Sequence, residues 1–352
     1  MTIPAPRGAE NGTPRLHDIA GQAGVSEATV SRVLNGRPGV AASTRQKVLA
    51  ALDVLGYERP VRLRRRSAGL IGLVIPELTN PIFPAFAQVI EQVLAGYGYT
   101  PVLCTQMPGG ATEDELVEQL EERGVNGIVF LSGLHADTSA DPTRYAKLAA
   151  RGVPFVLING FNEQINAPFV SPDDRSAARM AVRHLVDLGH ERIGLAIGPT
   201  RFVPSRRKEE GFVAALHSLL GVDRDEAERL VQRTLFTVEG GHAAGGALLD
   251  KGCTGIVCGS DPMALGVIRA VRERGLDVPG DISVTGFDDS PLIPFTDPPL
   301  TTVRQPVQAM ATAAVGALLE ELGGTPVQRT EFVFQPELVV RGSTTQAARH
   351  PA

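Results

Sequence analysis

Apolar positions recur along this chain with two different periods, and the change between them divides it. Leu16, Ile19, Ala20 and Ala23 stand three and four residues apart, the spacing of one helix face, until Gly24-Val25 breaks the run. Ser26 is a good N-cap for a second helix carrying Val30, Val33 and Leu34, which Asn35-Gly36 ends. Ser43-Thr-Arg-Gln46 has the form of a capping box and predicts a third helix with Val48, Leu49, Leu52 and Leu55, closed by Gly56. A charged linker, Glu58–Ser67, follows.

From Leu70 short apolar runs alternate with helical patterns. Leu70–Ile75, Pro101–Cys104, Gly127–Leu131, Phe155–Ile158, Arg192–Ile197, Gly255–Cys258 and Ile282–Thr285 read as buried strands. Helices are expected near 83–96, 112–123, 174–188, 206–220, 240–250, 261–274 and 306–322. Such alternation implies parallel sheets with crossover helices. Ile71-Gly-Leu-Val-Ile-Pro76 and Ile193-Gly-Leu-Ala-Ile-Gly-Pro199 each read as a first strand running into a turn, which points to two similar lobes.

Composition narrows the class. With 352 residues, 43% apolar and 21% charged, this is an ordinary globular chain of two or three domains. The net charge of −5 hides a split: residues 1–66 carry eleven Lys and Arg against five acids, net +6, and the remainder is −11. Three cysteines make no disulfide framework, which favours a reducing compartment. The first residues lack a signal-peptide core, and the long uncharged stretch Gln92–Thr112 is broken by Gly, Pro and polar residues. A soluble, cytoplasmic protein with no membrane partner is expected.

The first candidate chemistry lies in the basic N-terminal segment, residues 1–66. Ala20 and Gly24 are small residues where two helices must cross, and the short turn leads into a capped helix presenting Glu27, Ala28, Thr29, Ser31 and Arg32. This is helix-turn-helix patterning, whose second helix enters the major groove, where Arg32 can pair bidentately with guanine. A three-helix interaction module with a solvated charged face is the alternative.

The run Leu16-His-Asp-Ile-Ala-Gly-Gln-Ala-Gly-Val-Ser-Glu-Ala-Thr-Val-Ser-Arg-Val-Leu-Asn35 resembles the head of the LacI/GalR family of transcription regulators, and the resemblance extends over about residues 15–343. It implies a helix-turn-helix three-helix domain joined to an α/β, periplasmic-binding-protein-like two-lobed domain with parallel sheets. It implies a DNA-binding head at 15–58, a hinge at 59–69 and an effector-binding and dimerisation domain at 70–342; the aperiodic, Pro- and Gly-containing 1–14 and the polar tail 343–352 read as disordered. By the same resemblance Glu27 and Ala28 match base-choosing positions. Thr29, Ser31 and Arg32 match base or phosphate contacts, and Asn35, Thr44 and Arg45 match backbone contacts. Leu63 stands where the family hinge wedges a leucine between bases of the minor groove. The stretch from Tyr57 to Gly72 is shorter than in the best-known members.

The second candidate site is a cleft at the ends of parallel strands, where open sheets present loops. Glu77, Asn80 and Phe83 follow the first strand, and Ser132 and Asn159 follow the third and fourth. Lys208 opens a second-lobe helix, Ser260 and Asp261 follow Val257, and Asp288 follows Ser283–Phe287. Polar groups with aromatic faces, from Phe83, Phe161, Phe287 and Phe295, suit a sugar. The resemblance matches Asn159, Lys208, Ser260 and Asp288 to effector contacts, with Lys208 where many members have Arg. Pro76-Glu-Leu-Thr-Asn-Pro-Ile-Phe-Pro84, Ser132-Gly-Leu-His-Ala-Asp-Thr138 and Gly286-Phe-Asp-Asp-Ser-Pro-Leu292 are similar to a subgroup of the family that governs maltose use in high-GC bacteria. The implied function is a homodimeric repressor of double-stranded operator DNA, controlled by maltose or a maltodextrin. The alternatives are another ligand, a ligand that tightens DNA binding, or a sugar-binding protein without a DNA role.

No phosphate loop, dinucleotide fingerprint or nucleophile elbow occurs, so no enzyme, cofactor or metal is implied. Cys253, Cys258 and His242 lack a second ligand pair, and the thiols read as core residues. Asp288 and Asp289 are adjacent on a strand end and should point to opposite sides. His190 reads as a turn residue.

Overall fold

A computed structural model describes residues 15–34, 39–55, 68–106, 109–325 and 327–347, the side chains of Ala42 and Asp53 excepted. The chain divides into two units between Ser67 and Ala68. In the first unit, α1 (Leu16–Ala23), α2 (Glu27–Leu34) and α3 (Ala42–Val54) enclose a core of Ile19, Ala20, Ala23, Val30, Val33, Leu34, Val48 and Ala51. Gly24 ends α1 at φ 65°, a left-handed conformation that favours glycine, and Val25 donates its N–H back to the Ala20 carbonyl at 3.0 Å. A Cβ on Gly24 would meet nothing within 4 Å, so this glycine is required by its backbone angle and not by a helix crossing, as first expected.

Two further expectations are corrected here. α3 starts at Ala42, with the Arg45 N–H on the Ala41 carbonyl at 2.9 Å, so Ser43 lies inside the first turn and does not cap it. Val40 packs against the head core just before the turn and so fixes where the helix enters. Leu49 is exposed, because the buried face of α3 runs through Val48 and Ala51.

The second unit contains, in order, β1 (Gly69–Ile75), α4 (Ile82–Gly96), β2 (Tyr99–Thr105), α5 (Glu113–Glu122), β3 (Gly127–Leu131), α6 (Thr143–Ala150), β4 (Phe155–Ile158) and β5 (Phe169–Pro172). Next come α7 (Asp174–Asp187), β6 (Ile193–Ile197), α8 (Val203–Leu220), α9 (Arg224–Arg229), β7 (Val231–Arg233), α10 (Val238–Asp250), β8 (Gly255–Cys258) and α11 (Asp261–Glu273). It closes with β9 (Ser283–Asp288), β10 (Thr301–Arg304), α12 (Val307–Leu322), β11 (Glu331–Phe334) and β12 (Glu337–Val339).

Two six-stranded sheets result, ordered β11-β5-β4-β3-β1-β2 and β12-β10-β9-β8-β6-β7. β1 and β6, the two strands that share Ile-Gly-Leu, occupy the same place in each. Every described pairing is parallel except β10 with β12. Helices cover both faces, which is why the central strands are apolar throughout. The chain crosses between lobes three times, at 172–174, 304–307 and 334–337, so α12 packs into the core of the first lobe and α7 into that of the second.

Residues 343–347 are packed, against the expectation of a disordered tail. Ser343 is fully buried; its Oγ accepts from the Thr301 N–H at 2.8 Å and donates to the Val284 carbonyl at 2.6 Å. His190 is a buried anchor, 2.9 Å from both Thr254 Oγ1 and Ser283 Oγ, and burial lowers its pKa. Residues 348–352 and 1–14 lie outside the described residues, as do 56–67.

Helix α10 carries four glycines, Gly240, Gly241, Gly245 and Gly246, yet holds because it packs tightly on α11. A Cβ on Gly266 of α11 would sit 2.0 Å from the Val238 carbonyl, and one on Gly241 2.1 Å from that of Met263. Gly266→Ala must therefore push two backbones apart, a destabilisation of about 1–3 kcal/mol in urea unfolding. An unchanged midpoint would show that the helices do not approach this closely.

Candidate functional site

Each unit carries one candidate site. On the head, Ser26 caps α2 as expected: its Oγ accepts the Thr29 N–H at 3.3 Å and lies 3.0 Å from the Thr29 hydroxyl. The cap leaves Glu27, Ala28 and Arg32 exposed, with Thr29 and Ser31 half-buried on the same helix. Glu27 Oε1 lies 3.4 Å from His17 Nδ1 of α1. Thr44 and Arg45 stand half-buried in the first turn of α3. Asn35 and Leu63 lie outside the described residues.

In the second unit the lobes enclose a cavity of about 330 Å³. Asn80, Phe83, Ser132 and Asn159 line it from the first lobe, and Lys208, Ser260 and Asp288 from the second. Glu77 and Phe287 line it too. Strand geometry explains the convergence, since the C-terminal ends of β1, β3, β4, β8 and β9 all open into the gap. Three of these end residues hold left-handed backbone without being glycine: Ser132 at φ 49°, Asn159 at φ 64° and Asp288 at φ 114°. Such conformations cost of order 1–3 kcal/mol each and collect at sites where side chains must be aimed.

Charge is arranged with equal specificity. Lys208 Nζ is 2.5 Å from Asp174 Oδ1, both side chains being buried, and 3.9 Å from the centre of the Phe287 ring. Gln305 Nε2 donates to Asp288 Oδ1 at 2.6 Å. Behind it, Asp261 accepts from the Ser290 N–H at 2.8 Å and the Thr302 hydroxyl at 2.7 Å. Burial raises all three carboxyls above the ordinary range: Asp261 to about 6, Asp174 despite the adjacent Lys208, and Asp288 well upward, with Asp261 adding to the effect.

Three lining atoms are buried without a hydrogen-bond partner: Asn159 Oδ1, Ser205 Oγ and Gln305 Oε1. Each unmet group costs about 1–3 kcal/mol in a dry interior, and a ligand hydroxyl can relieve it. The lining holds four acidic residues, Glu77, Asp137, Asp174 and Asp288, and the cations Arg201 and Lys208, which pair with Asp137 and Asp174. The cavity is rich in acceptors and acid, and suits a neutral, donor-rich ligand.

Some expectations fail. Phe161 packs edge-on against Phe169, ring centres 5.0 Å apart, and does not line the cavity. Phe295 is 84% exposed on the 3-10 turn Ile293–Phe295, because Ile293 takes the buried position there. Asp289 turns from Asp288 as expected, to Arg304 at 2.7 Å and Arg341 at 2.6 Å. Cys253 and Cys258 are buried thiols, the first pushed up to about 11 by burial, and His242 Nε2 lies 2.7 Å from Glu273. Sequence reading missed Asp174, Ser205 and Gln305. Paired Asp173-Asp174 before a helix was the available signal for the first; Gln305 follows a strand, β10, too short to detect.

Residues 15–59 match the family described as bacterial regulatory proteins, lacI family, and residues 182–344 match the periplasmic binding protein-like domain. The chain is 80% identical over 346 residues to an HTH-type transcriptional regulator from the aml 5' region of Streptomyces limosus, spanning 98% of this chain and 99% of that one. It is 68% identical over 336 residues to the HTH-type transcriptional regulator MalR of Streptomyces coelicolor, spanning 95% and 98%. Among solved structures, the transcriptional regulator CelR–cellobiose complex aligns with a TM-score of 0.69 at 30% identity, covering 94% of this chain and 99% of that one. The lac repressor dimer bound to operator and the anti-inducer ONPF gives 0.66 at 29% identity, covering 95% and 100%.

The raised carboxyl of Asp288 has a signed consequence. A carboxyl whose folded pKa is raised favours folding below its unfolded value, near 3.9, and that contribution is lost as pH climbs through the folded value. Asp288→Asn should therefore gain stability relative to the parent protein as pH rises above about 4, measured by denaturant unfolding. A difference independent of pH would place the Asp288 carboxyl in a solvated, ordinary setting.

Proposed function

The chain belongs to the lacI family of bacterial regulatory proteins, and from that premise we propose that it is a cytoplasmic, homodimeric repressor whose operator affinity is set by a small neutral sugar. The observation that carries the sugar reading is the set of unpartnered buried acceptors, Asn159 Oδ1, Ser205 Oγ and Gln305 Oε1, facing one cavity between two lobes. Maltose or a maltodextrin is the proposed effector. The MalR relative's name and the cellobiose held by the CelR relative support a glucose-based disaccharide.

On the head, Glu27 and Ala28 would meet base edges, with Thr29, Ser31 and Arg32 contacting base or phosphate and Thr44 and Arg45 the DNA backbone. Asn35 and the hinge Leu63 complete the proposed DNA contacts. Two heads would read a two-fold site, as the lac repressor dimer bound to operator supports. Leu292 and Phe295, 72% and 84% exposed, are the barest large apolar side chains among the described residues and are proposed to meet a second copy. No described helix is long and apolar enough to cross a membrane.

In the cleft, Asn159, Ser260 and Asp288 would take sugar hydroxyls, with Asn80, Ser132 and Lys208 at the edges and Phe83 and Phe287 offering ring faces. Sugar that prefers one arrangement of the lobes changes DNA affinity by its differential binding. A factor of ~100 requires about 2.7 kcal/mol.

Electrophoretic mobility shift on the DNA upstream of the protein's own gene tests this. We expect a specific shift that maltose or maltotriose weakens and trehalose does not. Absence of any shift below physiological salt would overturn the repressor reading, and a shift strengthened by sugar would reverse its sign. Arg32→Ala should weaken specific binding by about 1–3 kcal/mol; unchanged operator affinity would remove Arg32 from the readout.

A further inference from the structure

The cleft is bounded on two sides. On one side stand the lobe crossings, which contribute Pro172, Asp174 and Gln305 to the cavity. On the other, the loop after β3 meets the loop after β6. Asp137 and Phe202 form an antiparallel bridge, and the N–H and the hydroxyl of Thr138 both donate to the Arg201 carbonyl at 2.8 Å. Arg201 Nε completes the contact on Asp137 Oδ2 at 3.0 Å. These contacts join different lobes, so they exist only while the lobes are together.

The first-lobe half of this contact is braced from behind. Buried Glu113 accepts the Leu134 N–H at 2.9 Å and the Tyr145 hydroxyl at 2.5 Å, and Tyr145 in turn accepts the His135 N–H at 2.8 Å. A braced loop does not give way to a ligand. It either stays paired with Arg201 or parts from it as the lobes separate.

Sheet order gives the size of the enclosed bay. The crossings lie at β5 and β10, and the contacting loops leave β3 and β6, two and three strand positions away. At about 4.8 Å per position the span is about 10–14 Å. A sugar chain lengthens with each ring added, while this span is fixed by the sheet order. A bay of fixed span and about 330 Å³ sets an upper limit on the length of chain it can enclose.

We propose that the 137–138 and 201–202 segments form a latch that measures the length of the bound sugar. A chain short enough to lie inside the bay lets the latch close, and a longer one holds it open. Chain length, and not only occupancy, then selects the arrangement of the lobes. This rests on the reading of the cleft as a sugar site.

Hydrogen exchange at the Thr138 amide, followed in the full-length protein with saturating maltose or maltohexaose, tests it. Maltose should slow exchange about ten-fold or more relative to sugar-free protein, and maltohexaose should speed it by a similar factor. The double variant Thr138→Val, Arg201→Gln removes the hydroxyl and guanidinium arms of the contact and leaves its main-chain bond; it should narrow the difference between the two sugars in exchange and in affinity, while its melting curve shows that it remains folded. Equal slowing by both sugars, or no change with both bound, would overturn the latch. Calorimetry separates the two readings: if neither sugar binds, the effector proposal fails and the length gauge with it; if both bind and exchange does not distinguish them, only the gauge fails.

Discussion

A cation and carboxylates shut away from water must satisfy one another, and the buried cluster of Lys208, Asp174 and Asp288 sets the character of the whole cleft. Lys208 is held by Asp174 and by the face of Phe287. Asp288 is left with Gln305 as its hydrogen-bond donor and with Asp261 behind it, which is why its carboxyl resists ionisation. Desolvated charges of this kind are costly unless each is paired, so a site that keeps an unevenly paired set is adapted to a ligand that completes it. A ligand bringing hydroxyl donors does so, and one bringing negative charge adds to the repulsion.

The fold makes that cluster possible by bringing strand ends from two lobes to one gap. Three chain crossings tie the lobes on one side, and the paired loops around Asp137 and Arg201 close them on the other. The crossings also exchange helices, α12 packing with the first sheet although it follows the second, so neither lobe is a continuous stretch of sequence. Movement of one lobe is felt at both ends of the cleft. Charge is partitioned in the same spirit: a net +6 in residues 1–66 supplies attraction to phosphate, and a net −11 elsewhere keeps the body off the duplex.

Much of this was legible in the sequence, for identifiable reasons. Central strands such as Gly127–Leu131 and Phe155–Ile158 are buried on both faces and therefore announce themselves as apolar runs. β5, β7, β10, β11 and β12 are three or four residues long, carry polar or proline residues and owe their pairing to neighbours, so no local pattern marks them. Of the cleft residues, those just after a legible strand were found, including Asn159 and Asp288. Gln305 and Asp174 were not, because they sit at the crossings, whose position depends on the whole topology. The left-handed backbone of Ser132 and Asn159 had no glycine to signal it. Ser343 and Thr345 looked like a polar tail; their hydroxyl and backbone groups are polar because they finish the second sheet.

The most direct measurement is calorimetric binding of maltose against maltose 6'-phosphate under identical buffer and salt. The acceptor-rich cleft predicts that the neutral disaccharide binds and that the phosphorylated one binds at least ~100-fold more weakly, since a phosphate would lose its water in a site whose two cations, Lys208 and Arg201, are already paired with Asp174 and Asp137. Equal or tighter binding of the phosphorylated sugar would contradict a cleft built around unsatisfied acceptors and buried carboxylates.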